Sequence, residues 1–194
     1  MSGEGSGSDE ALSAVLTAIE DLGLRYHLGG SYSSTVHGVP RQTLDADIVV
    51  DLPASLVSSL AERLRARFYV DEDRMRHAVE RKTSVNAIDL TSGFKIDLFI
   101  KGDGEFDELE LRRSVTAELP QPGGRRVPIK SAEDIVLRKL QWFREGAEIS
   151  DRQWNDVLGI LRVQGDRLDD AYLDTWAERL GVEELLAKAR KASS

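Results

Sequence analysis

The sequence predicts an α/β protein of the α+β kind, with a small mixed β-sheet, flanking helices and a C-terminal helical bundle. Three observations carry this expectation. Residues 26–52, YHLGGSYSSTVHGVPRQTLDADIVVDL, read as strand, glycine turn, short helix, loop and a second strand bearing two acids. Residues 85–90 and 94–100 are alternating apolar runs joined by Thr91-Ser92-Gly93, a β-hairpin signal. From Ser131 to the end, apolar residues recur at helical spacing.

A chain of 194 residues is long enough for one sizeable domain, or for one domain with a helical appendage. Its 41% hydrophobic and 31% charged residues are the balance of a globular protein rather than a disordered one. No apolar run reaches bilayer length, and the N-terminus lacks the apolar stretch of a signal peptide, so no membrane partner is expected. The absence of cysteine excludes disulfides and thiolate metal sites, and fits a reducing compartment such as the cytoplasm. A net charge of −8 argues against broad non-specific nucleic-acid binding, while leaving room for a local basic site.

Taken in order, residues 1–8 read as a disordered Gly/Ser tail, 9–130 as the core domain and 131–194 as a helical subdomain. A first helix starts near Ser8 or Asp9, with Leu12, Val15, Leu16 and Ile19 on one face, and stops at Gly23. A strand at 25–28 leads into Gly29-Gly30-Ser31, and a short helix at 32–37 is stopped by Gly38 and Pro40. The strand from Asp45 is followed by Pro53-Ala54-Ser55, which opens a helix with Leu56, Leu60 and Leu64 on one side. Phe68-Tyr69-Val70 is a short strand, and 72–82 a charged helix with Met75, Ala78 and Val79 inward.

After the hairpin, 105–115 reads as a helix ending near Arg112-Arg113, then a loop at 120–124 and a strand at 125–129 carrying Arg125-Arg126. Such arginine pairs are usually solvated; flanking a site for an anionic ligand, they are also candidates for binding it. Ser131-Ala132-Glu133-Asp134 resembles a capping box opening a helix to about Arg144, and Ser150 caps the next, whose core face is Trp154, Val157, Leu158 and Leu161. Helices at 168–180 and 182–191 finish the chain, with Gly181 between them.

The chemistry concentrates in the first motif. Side chains two apart on a strand share a face, so Asp45 and Asp47 present adjacent carboxylates. Their mutual repulsion is relieved by a divalent cation, and Mg²⁺ is usually held by one or two carboxylates plus substrate phosphates. Gly29 and Gly30 allow close backbone approach, and a helix starting near Ser31 aims free N–H groups at an anion. A third acid has two candidates, because Ile-Asp-Leu occurs at 88–90 and at 96–98. Asp89, near the turn, could pair across it with Lys95 in a solvated role, whereas Asp97 sits mid-strand in an apolar run; Asp97 is the choice. Lys139 projects from an apolar stripe, so it must snorkel outward or meet an anion, and Asp156 flanks the face of the following helix.

The order Leu28-Gly29-Gly30-Ser31, spacer, Asp45-Ala46-Asp47 resembles the signature of the nucleotidyltransferase superfamily related to DNA polymerase β. The pattern Ser131-x-Glu133-Asp134, Lys139-Leu140-x-Trp142-Phe143-Arg144, then Trp154-x-Asp156-Val157 is similar to AbiEii/MenT-type members, a group containing toxins of toxin–antitoxin systems. The resemblance spans roughly residues 24–161. It implies that Asp45, Asp47 and Asp97 are catalytic and hold one or two Mg²⁺ (or Mn²⁺) ions. It further implies that Gly29, Gly30, Ser31, Lys139 and Asp156 bind an NTP. The implied reaction is transfer of a nucleoside monophosphate to a hydroxyl of an RNA, a protein or a small molecule, with an antitoxin as a possible partner. A silent nucleotide-binding module is the alternative. Toxins of the group that modify tRNA are usually basic, and this chain is acidic. His27 and His37, which flank the first motif, are given no role.

Overall fold

The structure, a computed structural model, describes residues 4–39, 45–119 and 124–193. The expected loop at 120–124 and the stop at Pro40 lie largely or wholly outside the described residues. Two compact units emerge, one from residues 4–31, 45–119 and 124–129, the other from 32–39 and 130–193.

The first unit holds a seven-stranded mixed sheet. Its strands are β1 (Tyr26–Leu28), β2 (Asp45–Val50), β3 (Phe68–Tyr69), β4 (Ser84–Asp89), β5 (Lys95–Ile100), β6 (Val115–Glu118) and β7 (Arg126–Ile129), in the order β3-β4-β5-β2-β1-β7-β6. Helices α1 (Glu4–Asp21), α3 (Val57–Arg65), α4 (Glu72–Arg81) and α5 (Glu105–Arg112) accompany it, and α2 (Gly30–His37) leaves it after Ser31. β1 runs antiparallel to β2, β2 parallel to β5, and β4 antiparallel to β5.

Alternation decides which face is buried. Ala46, Ile48 and Val50 of β2, with Ile96, Leu98 and Ile100 of β5, point to one side at no more than 5% exposure. The core they share includes Leu12, Val15, Leu16 and Ile19 of α1 and Leu60 and Leu64 of α3, all at 1% or less. The opposite face carries Asp45, Asp47 and Asp97, all half-buried.

Three expectations need correction. Residues 4–8, assigned to a tail, are the first turns of α1, which starts at Glu4. The reason is packing: Gly7 lies so close to Ser92 of the β4–β5 turn that a Cβ there would stand 3.2 Å from the Ser92 Cβ. Residues 113–115 do not continue α5; Val115 begins β6, which pairs Val115 with Ile129 and Glu118 with Arg126. Arg125 is not merely solvated but holds α1, donating to the Ser13 carbonyl at 2.8 Å and to Glu20 at 2.6 Å.

The second unit is helical: α6 (Ala132–Glu145), α7 (Asp151–Gln164), α8 (Asp170–Leu180) and α9 (Glu183–Ser193), joined by the body of α2. The Ser131 hydroxyl accepts from the Asp134 N–H, as a capping serine should. Helix α2 is tied to this bundle because His37 Nε2 donates to the Lys130 carbonyl at 2.8 Å and Gln164 donates to the His37 carbonyl at 2.6 Å. Burial drives the His37 imidazole below its usual pKa, which keeps the ring neutral. Among the described residues no helix is long and apolar enough to cross a membrane.

Candidate active site

Register brings the predicted acids of the sheet together. Asp47 of β2 lies opposite Asp97 of the parallel neighbour β5, and Asp45 opposite Lys95. Partners in register on adjacent strands point to the same face, about 4.8 Å apart. Three carboxylates and one ammonium therefore share a patch. The Lys95 Nζ sits 2.7 Å from Asp97 Oδ2, and the hydrogen bond to Asp97, with the charges of Asp97, Asp45 and Asp47, holds its pKa above the usual value. From the far side Asn86 of β4, opposite Asp97 in the antiparallel register, donates to Asp97 Oδ1 at 2.6 Å. Both oxygens of Asp97 are thus oriented by side chains of the sheet.

The glycine turn abuts this patch. The Gly29 N–H donates to the Asp47 carbonyl at 2.9 Å, extending the β1–β2 pairing by one residue. Gly30 then adopts φ +48°, and a Cβ built there would lie 1.6 Å from Asp47 Oδ2. Only glycine satisfies both the backbone angle and the carboxylate above it. Ser31 follows, 4% exposed, in the first turn of α2. The Gly-Gly-Ser segment and Asp47 thus meet in space, although Asp47 lies 16 positions after Ser31 in sequence.

Asp89 does not face this patch. It belongs to the buried side of the sheet, fully enclosed, where Arg67 Nε donates to it at 2.8 Å and the Ser92 hydroxyl at 2.5 Å. Arg67, then the Ser92 contacts, keep its carboxyl below the usual range against the opposing effect of burial. The expected solvated pairing of Asp89 with Lys95 is corrected on both sides, since Lys95 belongs to Asp97. Alternation explains it: Asp89 and Asp97 lie on opposite faces of the hairpin, as Asn86 rather than Asp89 is the partner of Asp97.

Lys139 and Asp156 meet within the helical unit. Lys139 is 3% exposed, and its Nζ donates to Asp156 Oδ2 at 2.8 Å and to Gln153 Oε1 at 2.9 Å. It meets an anion instead of snorkelling, and that anion is Asp156. Sequence reasoning missed Asn86 and Lys95 as neighbours of the acids. The signal for Lys95 was its i,i+2 spacing from Asp97; for Asn86 there was none without the register.

The oxygen-only donors Asp45, Asp47 and Asp97 suit a hard cation such as Mg²⁺. Among the described residues no group of three or more carboxylate or imidazole side chains is arranged to hold a metal ion. In the common Mg²⁺ arrangement one or two carboxylates act together with substrate phosphates.

The mixed sheet and its helices are similar in fold to solved nucleotidyltransferase structures. The chain is similar to the antibiotic-resistance factor ANT(2'')-Ia in its solution structure, with a TM-score of 0.58 and 13% identity over 95% of this chain and 98% of that one. It is similar to a nucleotidyltransferase-like protein from Paracoccidioides brasiliensis, with a TM-score of 0.52 and 16% identity over 94% and 92%. The crystal structure of ANT(2'')-Ia in complex with adenylyl-2''-tobramycin gives 0.50 and 16% over 94% and 97%. No family model matches the sequence, and no curated protein matches it.

Proposed function

We propose that the protein is a metal-dependent nucleotidyltransferase that transfers a nucleoside monophosphate from an NTP to a hydroxyl acceptor. The observation that carries this reading is the register pair Asp47–Asp97 with the Gly30 turn pressed against the Asp47 carboxylate. Asp45 and Asp47 would hold Mg²⁺, which when bound neutralises triphosphate charge and polarises the reacting phosphoryl group. The N–H groups at the start of α2 face the phosphates, as at other helix N-termini. Asp97, oriented at Oδ1 by Asn86 and at Oδ2 by Lys95, accepts the proton of the acceptor hydroxyl. The acceptor oxygen then bonds to the α-phosphorus, the bond from that phosphorus to the bridging oxygen breaks, and pyrophosphate leaves.

The finer likeness to AbiEii/MenT-type proteins rests on the second pattern, and the pairing of Lys139 with Asp156 supports treating those two residues as a unit. In that reading Lys139 and Asp156 act as one ion pair, and an antitoxin is the partner. Growth arrest on expression, relieved by a small co-encoded protein, would support it; unimpaired growth would oppose it. Transfer itself is tested by incubating the protein with α-labelled NTPs, Mg²⁺ and cell lysate. The expected result is a labelled acceptor with wild type and none with Asp47→Ala of equal melting temperature. Equal labelling by both proteins would overturn the site.

A further inference from the structure

Asp97 has a partner on each of its carboxylate oxygens. Asn86 of β4 donates to Oδ1 at 2.6 Å, and Lys95 of β5 donates to Oδ2 at 2.7 Å. The strands themselves place both donors. Asn86 is the register partner of Asp97 across the antiparallel β4–β5 pair, and Lys95 precedes Asp97 by two residues on the same face. The Asp97 side chain is 14% exposed and that of Lys95 43%, so the carboxylate is the more enclosed member of the pair. Lys95 also stands opposite Asp45 across the parallel β2–β5 pair, which keeps its ammonium within the carboxylate patch.

This arrangement conflicts with a metal-ligand role for Asp97. Each oxygen keeps a second lone pair. A divalent ion coordinated to Oδ2, however, would stand roughly 4–5 Å from the ammonium already bound there, where like charges repel. The amide on Oδ1 restricts the approach from the other side. Among the described residues, accordingly, no three carboxylate or imidazole side chains are arranged to hold a metal ion. Asp45 and Asp47, two apart on β2, remain as the pair suited to one hard cation. The three carboxylates carry the charge that one ammonium and one divalent cation neutralise between them.

Resting on the nucleotidyltransferase reading, we propose that the open face takes a single divalent cation, on Asp45 and Asp47, and that the Lys95 ammonium stands in for a second one beside Asp97. Lys95 is then a positioning residue. It fixes Asp97 and supplies, from the chain itself, the positive charge that an ion would otherwise bring. A cation tethered to the strand need not be captured from solution or stripped of its water, a step that Mg²⁺ undergoes reluctantly. The site is full at one ion per chain, with the triphosphate in place.

The test counts ions. Full-length protein is dialysed to equilibrium against Mn²⁺ and a non-hydrolysable ATP analogue, bound Mn²⁺ per chain is measured, and electron paramagnetic resonance distinguishes an isolated ion from a coupled pair. Wild type should hold one isolated ion. Lys95→Met, which keeps the stem and removes the charge, should hold two coupled ions. Lys95→Arg, which keeps the charge, should return to one, and so should Lys95→Met/Asp97→Asn, which removes the ligand for the second. A purely structural role for Lys95 would leave the count unchanged. Two coupled ions in wild type would overturn the proposal and leave the nucleotidyltransferase reading standing, as would a single ion in Lys95→Met of wild-type melting temperature. No bound ion in wild type would overturn the metal-dependent reading and this proposal together.

Discussion

Two aspartates in the same tripeptide context separate cleanly at the scale of the residue. Asp97 is oriented by the half-exposed Lys95 and by Asn86, so its neutralisation costs little stability. Asp89 is fully enclosed and holds Arg67 and Ser92. Asp97→Asn should therefore abolish transfer at nearly unchanged melting temperature. Asp89→Asn should melt lower by about 1–3 kcal/mol and keep its activity while folded, as thermal melts paired with a labelling assay would show. Because Asp89 has a depressed folded pKa, its stabilisation is present above about pH 4, the unfolded carboxylate value, and is lost as pH falls through the lower folded one. Acid titration of stability should be shallower in Asp89→Asn than in wild type. The sequence made Asp97 the better candidate from its apolar surroundings, but the partner of Asp89 was not legible, since Arg67 lies 22 residues away and on another strand's approach.

Among the elements, those set by local pattern were readable and those set by distant pairing were not. Helices α6 and α7 follow their Ser caps and apolar stripes closely, and β2, β4 and β5 follow alternation. Strand β6 was not visible because Val115 to Glu118 becomes a strand only by pairing with β7. The glycine turn between β1 and α2 was legible as a turn, though its contact with Asp47 was not. Gly30→Ala places a Cβ into Asp47 Oδ2 at a positive φ, so it should cost more than the roughly 1 kcal/mol of backbone strain alone. Denaturant melts should show the loss, and NTP affinity should fall with it. The α6–α7 pair offers a second check. Lys139→Met strands Asp156 and Gln153 beside a 3%-exposed position and should destabilise by about 3–5 kcal/mol. Lys139→Met/Asp156→Leu should recover most of that, and full additivity in a double-mutant cycle would contradict the pairing.

For the whole molecule, the sequence conveyed most of the order of elements, while the sheet order conveyed why Asp45, Asp47 and Asp97 share one face. Parallel pairing of β2 with β5 sets Asp47 beside Asp97, and the intervening α3, β3, α4 and β4 are the connection that makes this pairing possible. The claim at the centre is that this open face, with the Gly30 turn, binds a triphosphate through a divalent cation. The most direct measurement is calorimetry of ATP binding with Mg²⁺ and with EDTA, for wild type and for Asp47→Ala. Binding that requires Mg²⁺ in wild type and disappears in a folded Asp47→Ala protein is the predicted result. Equal affinity in EDTA and Mg²⁺, or undiminished binding by Asp47→Ala, would contradict it.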